Sequence, residues 1–589
     1  MEHNDKLRRL LTVLLLTAWT AVLAQTSAAH WGDQGDGTFR NPILRADYSD
    51  PDPLRVGDDY YMAASTFESY PGVTILHSKD LVNWQTIGAA FTHLDEVSPD
   101  YTWQRMRRYN GGVYAPTLSY HDGRYYIFAN LYTDGFYMAT ATDPAGPWQE
   151  HMMTDREGRP LRVLHWTDPC PLWDDDGRAY LATSHPGSKY WYSYLFQMSP
   201  DGQQLLDADS AYLAQQNTLY EYEKGGGTCI SPYHSSEGNR LFKRDGYYYL
   251  QHIEFLNAGN GEGTYILRAR NIYGDGGSPG HPGKYELHAV ERVKDRKGQR
   301  LPGQGGYVTT PDGRWWFIGQ FNRNDPEGRV PYLVPVRWED GWPVMDSVPA
   351  RMAKPIVSEK GRVKSEKLAT AICLPQGSDD FSLPTLDIRW RWNHSPRDSH
   401  WSLTERRGWL RLKAFRPLGG DLQSSTCGFF QAGNTLLQHA MPSDSTVIET
   451  RLDVSRMAEG QRAGLAVFNG GESYALIGMK DGRLYFDADG TIVEGPTLSK
   501  YNKIVRLRVY INRYGQARFA YSLKGHRSQW FLRPEGSKRP EVERSIGPAT
   551  YQLTAGNFRG AQVGLFSYNT EADAGIADFD YLHYTVTNK

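Results

Sequence analysis

The sequence predicts an all-β protein, a five-bladed β-propeller followed by a β-sandwich, and three observations predict it. A Gly-containing turn leading into an aromatic strand recurs along the first part of the chain. Its spacing is regular. Beyond about residue 378 the pattern changes to short, alternating strands without that spacing.

The opening segment, with Lys6, Arg8 and Arg9 before the apolar run Leu10–Ala24, has the layout of a secretory signal peptide. Residues 1–29 are assigned to it, with cleavage between Ala24 and Ala29. The run is too short for a membrane span, and no Cys follows it to carry a lipid anchor. Export to the periplasm or the medium is expected.

The repeat begins at Tyr48–Tyr61, where Asp50 stands seven residues before Gly57. Variants of its turn return at Asp122-Gly123, Asp176-Gly177, Asp245-Gly246 and Asp312-Gly313, each followed by an aromatic strand. Asp-Gly between β-prone runs is a strong hairpin signal, since both central residues of the favoured turn adopt φ > 0. The five glycines are 66, 54, 69 and 67 residues apart, room for four short strands each. That period reads as radial repetition, five blades over residues 38–345. The aromatic hairpin Trp338–Val344 is expected to close the ring.

In a propeller the innermost strands face the axis. Nine residues before the hairpin Gly stand Tyr114, Asp168, Glu237 and Gln304 in blades two to five, and Asp50 occupies a similar phase in blade one. One Asp near a turn is ordinary. Three carboxylates in matched phase converge on one centre and point to acid–base chemistry.

Residues 346–377 lack periodicity and are read as a linker. In 378–589, Trp409–Lys413, Thr446–Thr450 and Val505–Tyr510 alternate polar and apolar residues, as the strands of a sandwich do. Asp481-Gly482 repeats the hairpin signal there.

A net charge of −2 gives no reason to expect nucleic acid as a partner, and 13% aromatic residues suit both β-structure and sugar stacking. The four cysteines (Cys170, Cys229, Cys373 and Cys427) have no zinc-type spacing and leave pairing open. His165, Trp166, His234 and Trp103 are read as packing or hydrogen-bonding residues.

Asn41-Pro42 with Ser49-Asp50-Pro51, Arg55–Tyr61, Ser65-Thr66-Phe67-Glu68, His77–Trp84 and Tyr114-Ala115-Pro116-Thr117 together resemble glycoside hydrolase family 43. Trp401–Arg406 and Ala577–Tyr581 are similar to the concanavalin-like C-terminal domain of that family's β-xylosidases. The resemblance implies an Asp general base, a Glu general acid and an Asp that tunes the acid: by position Asp50, Glu237 and Asp168. Asp52 is a rival for the base and Asp47 a weaker one. It further implies sugar contacts from Phe67, Tyr70, Tyr114, Gln304 and Arg323. No cofactor is required; the family's central ion would be calcium, an expectation weakened by Gln304 in place of a His. Other departures are Gly238-Asn239-Arg240 after Glu237, Ser69-Tyr70 after Phe67-Glu68, and Tyr114 where a Trp is common. The implied activity is exo-acting, inverting release of β-D-xylose or α-L-arabinofuranose from plant-type poly- or oligosaccharide. The alternative is a non-catalytic carbohydrate-binding propeller. Oligomeric state is left open, and the second domain is expected to hold no catalytic acid while closing one side of the pocket.

Overall fold

The computed structural model describes residues 32–131, 134–162, 165–186, 191–213, 225–231, 236–254, 263–290, 302–322, 326–345, 348, 351–355, 376–417, 428–440, 445–499, 503–524, 541–554, 556, 558 and 559–586. The expected signal peptide, Arg323, His234, Cys373, Cys427 and the middle of the linker lie outside them. No helix among the described residues is long and apolar enough to cross a membrane.

Five antiparallel sheets form the N-terminal ring. Their first strands are Asp52–Val56, Val113–His121, Thr167–Trp173, Ser236–Arg244 and Gly305–Thr309. Each touches the first strand of the next blade, and the fifth touches the first. Blade three is widened by Thr154–Asp155, Gln204–Leu205 and Thr228–Ser231. The turns are not uniform: at Gly57-Asp58, a two-residue turn, only the Gly has φ > 0. At Asp122-Gly123, Asp245-Gly246 and Asp340-Gly341 both residues have φ > 0, as expected. At residues 176–177 and 312–313 only the Gly does, and the turn is longer: Asp174 N–H bonds Arg178 O at 2.8 Å, and Thr310 N–H bonds Arg314 O at 2.9 Å.

Trp342–Val344 is the outer strand of blade five and does not close the ring. Closure comes from residues 41–48 lying along Arg329–Glu339. Asn41 exchanges hydrogen bonds with Leu333 at 2.8 and 2.9 Å, and Ile43 N–H bonds Pro331 O at 3.0 Å. Thr38–Phe39 pairs with Met352–Ala353, inside the segment read as linker.

The C-terminal domain stacks an eight-stranded sheet on a seven-stranded one around one continuous apolar core. Ser445–Asp453 and Ile504–Asn512 alternate partly exposed and buried residues along their length, the period-two signature of a sheet with one wet face. The eight-stranded sheet gains its last strand from the propeller: Ser69–Tyr70 pairs with Asn393 and Trp392. The two domains are therefore joined by a shared sheet.

Candidate active site

Of the blade-phase residues, Asp50, Asp168 and Gln304 meet, and the strands carrying Tyr114, Asp168 and Glu237 share a backbone irregularity. The first strands of blades two, three and four each carry a bulge, between Tyr114 and Thr117, Thr167 and Cys170, and Glu237 and Arg240. Each bulge holds a residue in the left-handed region: Ala115, Asp168 (φ 51°) or Gly238 (φ 67°). An extra residue re-aims its neighbours out of the ladder, here towards the axis. Asp50, two residues before its strand, is also left-handed at φ 55°, a conformation Asp tolerates better than most.

Asp50 is 2% exposed and held on both oxygens. Oδ1 accepts from Gln320 Nε2 at 3.0 Å and Arg329 Nη1 at 3.1 Å, and Oδ2 from Ser65 Oγ at 2.6 Å. Its own N–H donates to Gln320 Oε1 at 2.6 Å. Asp168 is buried beside it and accepts from Gln304 Nε2 at 2.9 Å. Burial, then the Asp50 charge, push the Asp168 carboxyl up to about 6, against the opposing pull of the Gly238 N–H, Arg240 and Thr167. That bond from Gly238 fixes the bulge that carries Glu237 next to Asp168. Glu237 is partly exposed.

Asp52 and Asp47, the other two acids weighed for the base, have their own partners. Asp52 bonds the Leu118 N–H at 2.7 Å and lies 2.9 Å from Arg240 Nε. Asp47 accepts from Ser49 Oγ at 2.9 Å and from the Gly560 N–H at 3.0 Å, in the seam between the domains.

Phe67 and Tyr114 stand edge to face at 5.3 Å, and Phe558 of the C-terminal domain stacks on Phe67 at 6.2 Å. Phe67 is itself buried, so Tyr114 and Phe558 carry the exposed part of this wall. The bend at Phe67 depends on Gly112: a Cβ there would stand 2.4 Å from Phe67 O. Arg329 lies over the Phe558 ring at 4.6 Å while it pairs with Asp50. The adjacent Arg559 makes a buried ion pair with Glu68 and bonds Ser69 Oγ at 2.7 Å. The described residues that the C-terminal domain brings here are thus aromatic and cationic.

Tyr70 is not in this wall. Its hydroxyl donates to Thr92 O at 2.6 Å and its ring packs between the two domains' cores, because Ser69–Tyr70 is committed to the sandwich sheet. Gln304 is buried and donates to Asp168. The arginine paired with Asp50 is Arg329, which the sequence reading did not single out; its candidate Arg323 lies outside the described residues. Ser65, Gln320 and Phe558 also escaped the sequence reading, since each meets Asp50 or its wall through the fold alone; Ser65 lay inside a quoted motif, the one signal available.

Calcium takes six to eight oxygen ligands in most protein sites. Here no three His, Cys, Asp or Glu side chains among the described residues come together as ion ligands. Gln304 turns its amide nitrogen to Asp168, and a guanidinium, Arg240, lies against Asp52. These donors do not fit the ion.

Residues 39–343 match the family model "Glycosyl hydrolases family 43", and residues 378–585 match "Beta xylosidase C-terminal Concanavalin A-like domain". A β-xylosidase of Formosa agariphila is 32% identical over 95% of this chain and 93% of its own length. A non-reducing end α-L-arabinofuranosidase of Bacteroides ovatus is 32% identical over 64% of this chain and 65% of its own. Among solved structures, a bifunctional GH43-CE protein of Bacteroides eggerthii superposes with a TM-score of 0.72 at 28% identity, covering 93% of this chain; the chain spans 64% of that protein's length. A ring of five blades with paired buried acids at its centre, a C-terminal sandwich and these matches lead to one conclusion: the chain belongs to glycosyl hydrolase family 43 and is a glycosidase.

Proposed function

We propose that the chain is an exo-acting, inverting hydrolase that removes terminal β-D-xylose or α-L-arabinofuranose from plant cell-wall poly- and oligosaccharides. The observation that carries this reading is the buried, fully hydrogen-bonded Asp50 beside Asp168, facing a wall that the second domain completes with Phe558. A wall contributed by a second domain narrows the approach and favours chain ends. The names of the similar β-xylosidase and arabinofuranosidase support the same two sugars.

In this mechanism Asp50 takes a proton from water as the water oxygen attacks the anomeric carbon. Glu237 gives its proton to the departing glycosidic oxygen as that bond breaks. Inversion needs room for the water, with acid and base roughly 6.5–9.5 Å apart. Asp168 orients the Glu237 bulge, and its charge favours a protonated acid. Ser65, Gln320 and Arg329 hold the base in one orientation. The reading extends to export of the mature protein, from the charged and apolar opening segment.

Two measurements test it. Proton NMR of the hydrolysis of xylobiose should show α-xylose as the first-formed anomer; β-xylose first would refute inversion. Glu237→Ala should lose on the order of 10²–10⁴-fold on xylobiose, the usual size of one acid–base contribution. It should lose much less on a nitrophenyl xyloside, whose leaving group needs little protonation. Equal losses on both would mean another residue is the acid.

A further inference from the structure

Arg240 is 5% exposed, and its partner shows where it lies. It belongs to blade four, yet its Nε stands 2.9 Å from Asp52 Oδ1 in blade one. Blades one and four are not neighbours in a ring of five, so the two side chains meet across the axis. Blade two adds the Leu118 N–H on the other Asp52 oxygen at 2.7 Å. Blade five leaves space with Gly306, where a Cβ would stand 2.8 Å from Asp52 Oδ1. Blade three faces the pair with Cys170, whose thiol accepts from the Leu241 N–H at 3.1 Å and is pushed up to about 11 by burial, hence neutral.

The same residue ends the bulge that presents Glu237. Arg240 Nη1 donates to Asn239 O at 2.7 Å. Asn239 in turn donates to Asp168 O at 3.1 Å and Ser184 Oγ at 2.8 Å, and accepts from Ser193 Oγ at 2.7 Å. Asn239 therefore ties the bulge to blade three and Arg240 ties it to blade one.

We propose that Arg240 is a positioning residue: a built-in cation on the propeller axis that clasps the Glu237 bulge to blade one and supplies, beside Asp50 and Asp168, the positive field a hub metal ion would supply. This rests on the assignment of Asp50, Asp168 and Glu237 as the working acids. The groups facing Arg240 are Asp52, Cys170, Asp168 and Asp50. Those facing Asp50 are Ser65, Gln320, Arg329 and Asp168, and those facing Asp168 are Gln304, Thr167 and the Gly238 N–H.

The test uses the full-length enzyme and its Arg240→Gln, Arg240→Lys and Asp52→Asn variants, with kcat, KM and pH profiles on xylobiose. Arg240→Gln should lower kcat about 10–100-fold, the scale of a misplaced catalytic group, with KM within about threefold. Losing the cation should move the acidic limb of the profile up by about half to one pH unit, while Asp52→Asn, which bares the cation, should move it down. Arg240→Lys should keep the limb near the wild-type position while kcat stays low, since lysine keeps the charge without the planar two-point clasp. Excess EDTA should leave wild-type kcat and Tm unchanged, and added calcium should raise neither. Limb shifts of the same sign in Arg240→Gln and Asp52→Asn, or none, would overturn the proposal. So would loss of wild-type activity or Tm on chelation with recovery on calcium. Wild type that releases no pentose would sink the three-acid reading itself, a result distinct from wrong behaviour of the variants.

Discussion

The two domains bury their residues in opposite ways. In the sandwich, apolar side chains from both sheets form a main core running from Phe381 to Leu582; a second cluster with Phe429, Phe468 and Phe566 covers the other face of the eight-stranded sheet, while the outer face of a strand of the seven-stranded sheet such as Ser445–Asp453 stays partly wet. In the propeller each sheet is covered on both faces by its neighbours, so Gly135–Ala141 is buried at every position. Its apolar cores are separate clusters between adjacent blades, such as Tyr61, Ile127 and Ala139 between blades one and two, or Phe128, Leu181 and Phe196 between two and three. The middle belongs to Asp50, Asp52, Asp168, Asn239, Arg240 and Gln304, all buried. A layered fold puts its driest point at its centre. A radial fold puts its dry regions between the blades and leaves the axis to polar and charged groups. Such a centre can hold charges in a low-dielectric setting without breaking the core that stabilises the domain.

That contrast can be broken or sharpened by substitution. The largest effect is expected on the axis: Asp50→Ala should lose on the order of 10⁴-fold in kcat on xylobiose and on nitrophenyl xyloside alike, because both need an activated water. A loss confined to one substrate would remove Asp50 from the base role.

Next is the seam, where the sandwich enters the site. Arg559→Met strands the buried Glu68 carboxylate, a change that costs about 3–5 kcal/mol for such pairs. Thermal melts should show the drop, and activity per folded molecule should fall too, because Phe558 rides on the same loop. An unchanged melting temperature would mean the seam is not held by this pair.

Asp168→Asn separates charge from shape. The native carboxyl is raised to about 6 by burial first and the Asp50 charge second, above its unfolded value. The wild type therefore loses stability as pH rises through 6, and Asn, always neutral, should raise Tm relative to wild type above pH 6 but not below pH 4. The alkaline limb of the activity profile should move about one unit lower, as the charge that favours protonated Glu237 is gone. A limb that stays in place would confine Asp168 to a structural role.

The smallest effect tests the sandwich's share of binding. Phe558→Ala removes one aromatic face, worth about 0.5–1.5 kcal/mol, so KM for xylobiose should rise about 2–12-fold with Tm nearly constant. An unaltered KM would limit the second domain to stability.

Several features were legible in the sequence because they are local. Each hairpin turn holds a Gly with φ > 0, so the blades could be counted from five glycines. Polar–apolar alternation announced the sandwich strands. The blade phase singled out Asp168, Glu237 and Gln304, since equal spacing from a turn is equal placement in a repeated unit. What the tertiary structure alone decided has no local signature. The bulges at Asp168 and Glu237 are fixed by contacts between blades three and four. Asp50 was preferred over Asp52 by resemblance, and the ion pair of Asp52 with Arg240 across the axis had no local signal. Arg329 reaches Asp50 from 279 residues away, and Arg559 reaches Glu68 from 491. Tyr70, two residues after Glu68, was drawn into another domain's sheet. Turn chemistry and periodicity act over a few residues of chain, whereas a charge or a ring is recruited by distance in space, and that distance exists only after the blades have closed and the sandwich has docked.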